Sequence, residues 1–261
     1  MLPAPAPDPA PDPAPDPVTG IFDGSVDLLI GGRCVGCGRP GRLLCRGCAA
    51  HLPSTGLPAW PTPSPAGLAP PWAAAEYDGL ARAMVLGHKE HRLLALGPPL
   101  GLMLAGAVTA ALEDVPPGPV VLVPVPSRPA SLRSRGHDPT GVITRRAARR
   151  MRAARHDVLV APMLRTRPGV VDQAGLGAVE RGLNLAGSMH CPGSALRRLA
   201  ARRSHARVVV CDDVITSGAT AREAQRALEA VGLRVVAIAV VAATRRRNVS
   251  ASGESPGPQV G

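Results

Sequence analysis

Six cysteines occur in the chain, and four of them form two knuckles: Cys34-Val-Gly-Cys37 and, seven residues later, Cys45-Arg-Gly-Cys48. Two Cys-x-x-Cys knuckles with glycines between them can bring four thiolates around one tetrahedral centre at metal–sulfur distances of about 2.3 Å, as structural Zn2+ requires. A stretch this short cannot build a sufficient core, so metal binding would supply its folding energy. Two disulfides and a redox Cys-x-x-Cys are the competing readings. A cytosolic setting argues against the first and the duplication against the second. Cys34, Cys37, Cys45 and Cys48 are therefore the expected zinc ligands. Cys191 and Cys211 have no partner by spacing, and Cys211, closing an apolar run, reads as a small core residue.

A second constellation runs Val208-Val-Val-Cys-Asp212-Asp213-Val-Ile-Thr216-Ser217-Gly218-Ala219-Thr220. Four apolar residues ending in two acids put carboxylates at the carboxyl edge of a buried strand, where open α/β sheets bind ligands. The following Thr-Ser-Gly-Ala-Thr opens a helix. Its backbone N–H groups and three hydroxyls, with Gly218 allowing close approach, form a cradle for phosphate at a helix N-terminus. A strand, a turn and a capped helix with incidental acids is the plainer reading, but a cap does not call for paired acids at that offset. Carboxylates beside a phosphate site make electrostatic sense when they hold hydroxyls or a cation. A sugar phosphate meets both demands.

This segment resembles the phosphoribosyl-diphosphate (PRPP) signature of type I phosphoribosyltransferases, with Ser217 its one mild variation. The double Cys-x-x-Cys ahead of it resembles the ComF/GntX group, often described as competence-associated. Three further stretches resemble that group: Leu86-Gly-His88-Lys89; Val123-Pro-Val-Pro126 through Arg133, Arg135 and Gly136; and Gln173-x-x-Leu176 to Arg181-x-x-Asn184. After Gly136 the group's usual Phe-Asn-Gln is replaced by His137-Asp138-Pro139, and Met189 stands near an expected aromatic. The resemblance implies a PRPP site with Mg2+ in which Asp212 and Asp213 orient the ribose hydroxyls and stabilise the oxocarbenium-like transition state. It also implies that Thr216, Ser217, Gly218, Ala219 and Thr220 hold the 5′-phosphate, while Ser127, Arg128 and Lys89 meet the diphosphate. The implied activity is transfer of a 5-phosphoribosyl group to an acceptor with release of diphosphate. The resemblance also implies an alternative, a non-catalytic accessory of DNA uptake holding single-stranded DNA or a helicase partner; a PRPP sensor is a third.

The elements that must position these groups can be read from periodicity. Residues 3–17 repeat Pro-Ala-Pro-Asp and read as a disordered tail over 1–20, with the cysteine module over 21–52. Seven prolines between Pro53 and Pro71 read as a linker, extended to residue 76. The main domain then spans 77–246, with a second tail over 247–261. Within it, 80–88 and 99–112 look helical and 120–125 is a buried strand. The amphipathic stretch 139–155 supplies a crossover helix with Ile143, Ala147 and Met151 inward. A strand over 158–164, a mobile glycine-rich stretch and a short helix over 178–185 come next. Strand 208–211, helix 219–231 with Ala224, Ala227, Leu228 and Val231 inward, and strand 235–241 complete a βαβ unit. The expected fold is α/β: a type I phosphoribosyltransferase-like parallel sheet flanked by helices, preceded by a small zinc-ribbon-like module.

Composition sets the outer bounds. At 261 residues and 45% hydrophobic, the chain can bury a core, and a formal charge of +11 favours anionic partners. Lys89 is the one lysine among 30 basic residues, so arginine runs carry little information; those at 145, 146, 149, 150, 152 and 155 read as solvated helix surface. Aromatics make up 2%, which disfavours a surface that stacks nucleic-acid bases on rings. No leader pattern or uninterrupted apolar run of membrane-spanning length is evident, so a cytoplasmic protein without membrane contact is the expectation. His88, His91 and His137 could serve as bases, but none is assigned.

Overall fold

A computed structural model describes residues 32–127, 136–167, 187–203 and 205–244. The tails, residues 21–31 of the cysteine module, Arg128, Arg133, Arg135, Gln173, Leu176, Arg181, Asn184 and the helix expected over 178–185 lie outside the described residues.

The sheet has six strands in the order β1-β2-β8-β7-β3-β4. They are β1 (Leu57–Pro58), β2 (Pro71–Glu76), β3 (Val120–Pro124), β4 (Val158–Val160), β7 (Arg207–Ile215) and β8 (Val235–Ala243). Only β1 runs antiparallel to its neighbour. A parallel sheet is covered on both faces, which is why β3 and β7 read as continuous apolar runs. Helix α1 (Arg46–Ala50) belongs to the cysteine module, and one face carries α2 (Gly79–Glu90), α3 (Gly97–Ala111) and α4 (Pro139–Ala153), packed on Leu122, Val209, Cys211 and Ala239. The other carries α5 (Gly193–Ala200) and α6 (Ala219–Glu229), packed on Val121, Val123, Val210 and Val240. Ile143, Ala147 and Met151 point inward from α4, as do Ala224, Ala227 and Leu228 from α6.

From β3 the chain crosses through α4 to β4 on one side, while from β7 it crosses through α6 to β8 on the other. The connections leave on opposite faces, so a crevice opens at the carboxyl ends of β3 and β7, the usual place for a ligand in such sheets.

Several elements differ from expectation. The Pro-rich stretch 53–76 is not a linker: it contributes β1 and β2, and β2 pairs with β8 over Pro71↔Ile238 to Glu76↔Ala243. Proline lacks an N–H, but at the first position of a strand nothing is lost. Residues 66–69 are then tied to α6. Gln225 Oε1 accepts from the Ala69 N–H (2.8 Å), Gln225 Nε2 donates to the Gly67 carbonyl (2.9 Å) and Arg222 Nε donates to the Ala66 carbonyl (3.0 Å). Gly106 of α3 makes room for the same stretch, because a Cβ there would lie 2.4 Å from the Ser54 carbonyl oxygen.

The second difference is in β7, which runs four residues beyond its expected end. Its pairing with β3 stops at Pro124↔Cys211 while that with β8 continues through Ile215↔Ala243. β4 is shorter than expected, ending at Val160, two residues before Pro162. Unanticipated elements are α5 and the two-stranded ladder of β5 (Arg165–Thr166) with β6 (Met189–His190). The latter is pinned to α6 by Glu223 and Arg226, which bond the Met189 N–H (2.8 Å) and carbonyl (2.9 Å). Arg226 also pairs with the buried Glu223 at 2.7 Å, and this pairing, with the Met189 and Gly187 N–H groups, outweighs the upward push of burial and lowers the Glu223 carboxyl.

Contrary to the sequence reading, Leu94–Ala111 does reach 18 residues at a mean hydropathy of 1.6, long and apolar enough to cross a membrane. Here two-thirds of it is buried, with Leu100, Met103, Leu104 and Val108 wholly enclosed against the sheet.

Removing the Gln225 amide leaves the buried Ala69 N–H without a partner, which costs roughly 1–3 kcal/mol. Gln225→Ala is therefore expected to lower the urea midpoint at unchanged m-value. An unaltered midpoint would mean that the strap is not held there.

Candidate functional site

The acid pair sits where β7 has outrun β3. Asp213 is 4% exposed, and its Oδ2 lies 2.7 Å from the Lys89 ammonium. Asp212 Oδ1 accepts the Asp213 N–H at 2.8 Å. Burial first, and then the neighbouring Asp213 carboxyl, push Asp212 well above the usual carboxylate range, against the opposing pull of Lys89.

Lys89 reaches this point from the last turn of α2, whose start is capped by Asp78 accepting the Gly79 N–H. A cation in that turn also complements the helix dipole. Its neighbour His88 is fully buried, with both ring nitrogens lacking hydrogen-bond partners among the described residues. Gly97 leaves room for that ring, since a Cβ would stand 3.3 Å from its Nε2. Burial, reinforced by His137 and opposed by Asp213, lowers His88 to about 4. His137 stands edge-on to it, ring centroids 5.8 Å apart, and its Nε2–H donates to the His88 carbonyl at 3.2 Å.

Beyond β7, the 216–220 loop enters α6 through Gly218 at φ 73°, a left-handed conformation that favours glycine. A side chain there would also press on Pro61, Pro65 and Leu68 at 3.0–3.3 Å. The Pro-rich strap therefore backs the loop. Across the crevice, Ser127 Oγ donates to Asp138 Oδ1 (3.2 Å), and Asp138 caps α4 by accepting the Gly141 N–H (3.2 Å). The unexpected His137-Asp138-Pro139 thus has a visible structural use: a tie to α2, a helix cap and a helix start.

A cleft of about 490 Å³ joins these groups. It is lined by Lys89, Ser127, Asp212, Asp213, Thr216 and Thr220 among others. Ser217, Gly218 and Ala219 line a smaller recess that shares Asp212, Thr216 and Thr220 with it. Of the residues expected to bind PRPP, all but Arg128, outside the described residues, therefore meet at one sheet edge. His88 and His137 were noted without a role; only the fold shows that they brace the helix carrying Lys89.

The cysteine cluster forms a second, separate group. The sulfurs of Cys34, Cys37, Cys45 and Cys48 lie within 4.8 Å of one another, and those of Cys37 and Cys45 are 3.7 Å apart. Ligands at about 2.3 Å around a tetrahedral zinc are separated by about 3.8 Å, so the donor set fits. Burial raises the Cys34 thiol, but the Cys45, Cys37 and Gly36 N–H groups outweigh it and bring Cys34 down to about 6. Hydrogen bonding from Cys45 first, then burial, raises Cys48 to about 12. Four thiolates cannot form together here without a cation to hold them. The module is not detached: Val35, Leu43, Leu44 and Leu52 pack against the core beneath α2 and α3. Cys211 is wholly buried, as expected of a core residue.

Residues 170–252 match the phosphoribosyl transferase domain family. No curated protein matches the chain. The mostly parallel sheet with flanking helices is consistent with the type I phosphoribosyltransferase fold, and the match supports a domain of that type.

Two outcomes are expected. The purified chain should carry one zinc per molecule by atomic emission, and Cys45→Ser should lose it and melt several degrees lower, because the apolar residues seated on the core depend on the cluster; full stability without metal would refute this. His88 generates a pH dependence of fixed sign. The unfolded chain takes up the proton near 6.5, the folded chain only near 4, so stability is complete above 6.5 and falls as pH drops between those values, by roughly 3 kcal/mol in all. In denaturant titrations from pH 7 to 4, His88→Leu should flatten that decline.

Proposed function

We propose that the chain is a phosphoribosyltransferase-type protein of the ComF/GntX kind that binds PRPP and transfers its 5-phosphoribosyl group. The observation that carries this reading is the shared cleft. A carboxylate pair, a phosphate-cradling loop at a helix N-terminus and an open crevice at the switch point meet within one space.

In this reading the 5′-phosphate is held by the N–H groups and hydroxyls of Thr216 to Thr220. The ribose then lies over Asp212 and Asp213, whose oxygens accept from its 2′- and 3′-hydroxyls. Diphosphate faces the end of β3 near Ser127, with Arg128 beside it in sequence. The C1–oxygen bond to diphosphate breaks with its electron pair leaving on the diphosphate, the acceptor's lone pair forms the new bond at C1 with inversion, and the acceptor loses a proton. Charge developing at C1 is stabilised by the nearby acid pair.

The resemblance also implies Mg2+. A divalent ion does not fit at the acid pair, since Asp213 already carries the Lys89 ammonium, which would repel a second cation there. The zinc suited to the cysteine cluster would be structural, because that cluster lies apart from the residues lining the cleft.

Calorimetric titration of PRPP tests the reading. The wild type is expected to bind, and Thr220→Val and Asp213→Asn to bind at least about ten-fold more weakly, the loss of one or two charge-assisted hydrogen bonds. Absence of PRPP binding by the folded wild type would overturn the reading and redirect attention to single-stranded DNA and helicase partners.

A further inference from the structure

Lys89 stands out against the rest of this chain. It is the one lysine of the sequence, it sits in the last turn of a helix whose adjoining residue His88 is locked in the core, and its ammonium rests on a carboxylate that is almost wholly enclosed. Its side chain keeps 34% of its exposure while that of Asp213 keeps 5%, and both line the cleft, the cation as its more open member. The helix end is braced twice, by the buried His88 ring and by the His137 N–H on the His88 carbonyl. A pair held in this way is part of the resting site, and not a surface contact that a ligand displaces at little cost.

A sugar ring that enters this cleft with its phosphate on the 216–220 loop meets an acid pair whose Asp213 is already matched by a cation. Vicinal hydroxyls can then be accepted with the Asp213 charge compensated beside the phosphate, which is the service a divalent ion would otherwise perform. Resting on the proposed function above, we infer that Lys89 is the built-in cation of the acid pair, and that the site takes 5-phosphoribosyl monophosphates such as ribose 5-phosphate without a divalent metal. Metal dependence, where it occurs, then belongs to ligands that bring a diphosphate.

The test is calorimetric titration of ribose 5-phosphate into the full chain, in buffer freed of divalent ions over chelating resin before protein is added, so that the cysteine cluster is left intact, and again with excess Mg2+. The wild type is expected to bind with affinities that agree within about two-fold in the two buffers. Lys89→Gln is expected to lose at least about ten-fold in the metal-free buffer and to recover with Mg2+, whereas Lys89→Arg retains metal-free binding because it keeps the charge. Thermal melts of each variant separate loss of the site from loss of the fold.

Wild-type binding that requires Mg2+, a Lys89→Gln variant that binds as tightly as wild type without metal, or a loss in a folded Lys89→Gln that Mg2+ does not restore would each overturn the inference. PRPP binding that persists alongside any of these leaves the proposed function standing. Failure of both sugar phosphates in both buffers removes the proposed function and this inference together.

Discussion

A carboxylate enclosed in a protein must have a cation or a full set of donors, and the Asp213 carboxylate, carried on a strand inside a parallel sheet, has Lys89. Much of the architecture around the cleft follows from that pairing. It requires α2 to end beside β7, and that end is secured by the buried His88 and by His137 on its carbonyl. It requires β3 to stop short of the acids, and the ladder between β3 and β7 does stop at Pro124↔Cys211. The crevice is the space left when one strand ends and its neighbour continues.

The chain reaches a close-packed structure with few aromatic residues by letting backbones approach closely. At Gly101 a Cβ would stand 2.3 Å from that of Arg146, so α3 and α4 meet almost backbone to backbone. Gly56 does the same against Ala107. Such contacts demand small residues at defined points, and the alanine- and glycine-rich α3 supplies them while its leucines and methionines fill the space beneath. This explains how a helix apolar enough for a membrane serves as the central helix of one face. The arginines of α4 at 145, 146, 149, 150 and 152 remain on its solvent side, in keeping with a solvated surface.

Two segments that look peripheral in the sequence are structural members of the main body. The Pro-rich stretch crosses α6, adds strands to the sheet and backs the 216–220 loop through Pro61, Pro65 and Leu68. The cysteine cluster lies against the core through Val35, Leu43 and Leu44, so its integrity and that of α2 are linked by contact.

Local chemistry was legible in the sequence where a residue type is tied to its immediate neighbours. Cysteine knuckles, a buried apolar strand, a hydroxyl- and glycine-rich helix start and the 3.6-residue periodicity of α4 and α6 all express interactions within a few positions, and those readings match the fold. Interactions across long sequence separations were not legible. Prolines punctuate locally, yet whether Pro71 opens a strand depends on β8 lying alongside, more than 160 residues later. Asp212 and Asp213 read as the carboxyl edge of a strand; their place inside the β7–β8 ladder depends on β8 running on beside them after β3 has stopped. The sequence by itself determined which hydroxyls, carboxylates and thiols stand at close spacing, because that is a property of residue type and local order. The tertiary structure alone decided that Lys89 faces Asp213 and that His88 is a core residue, because burial and ion pairing arise only when distant segments exclude water from one another.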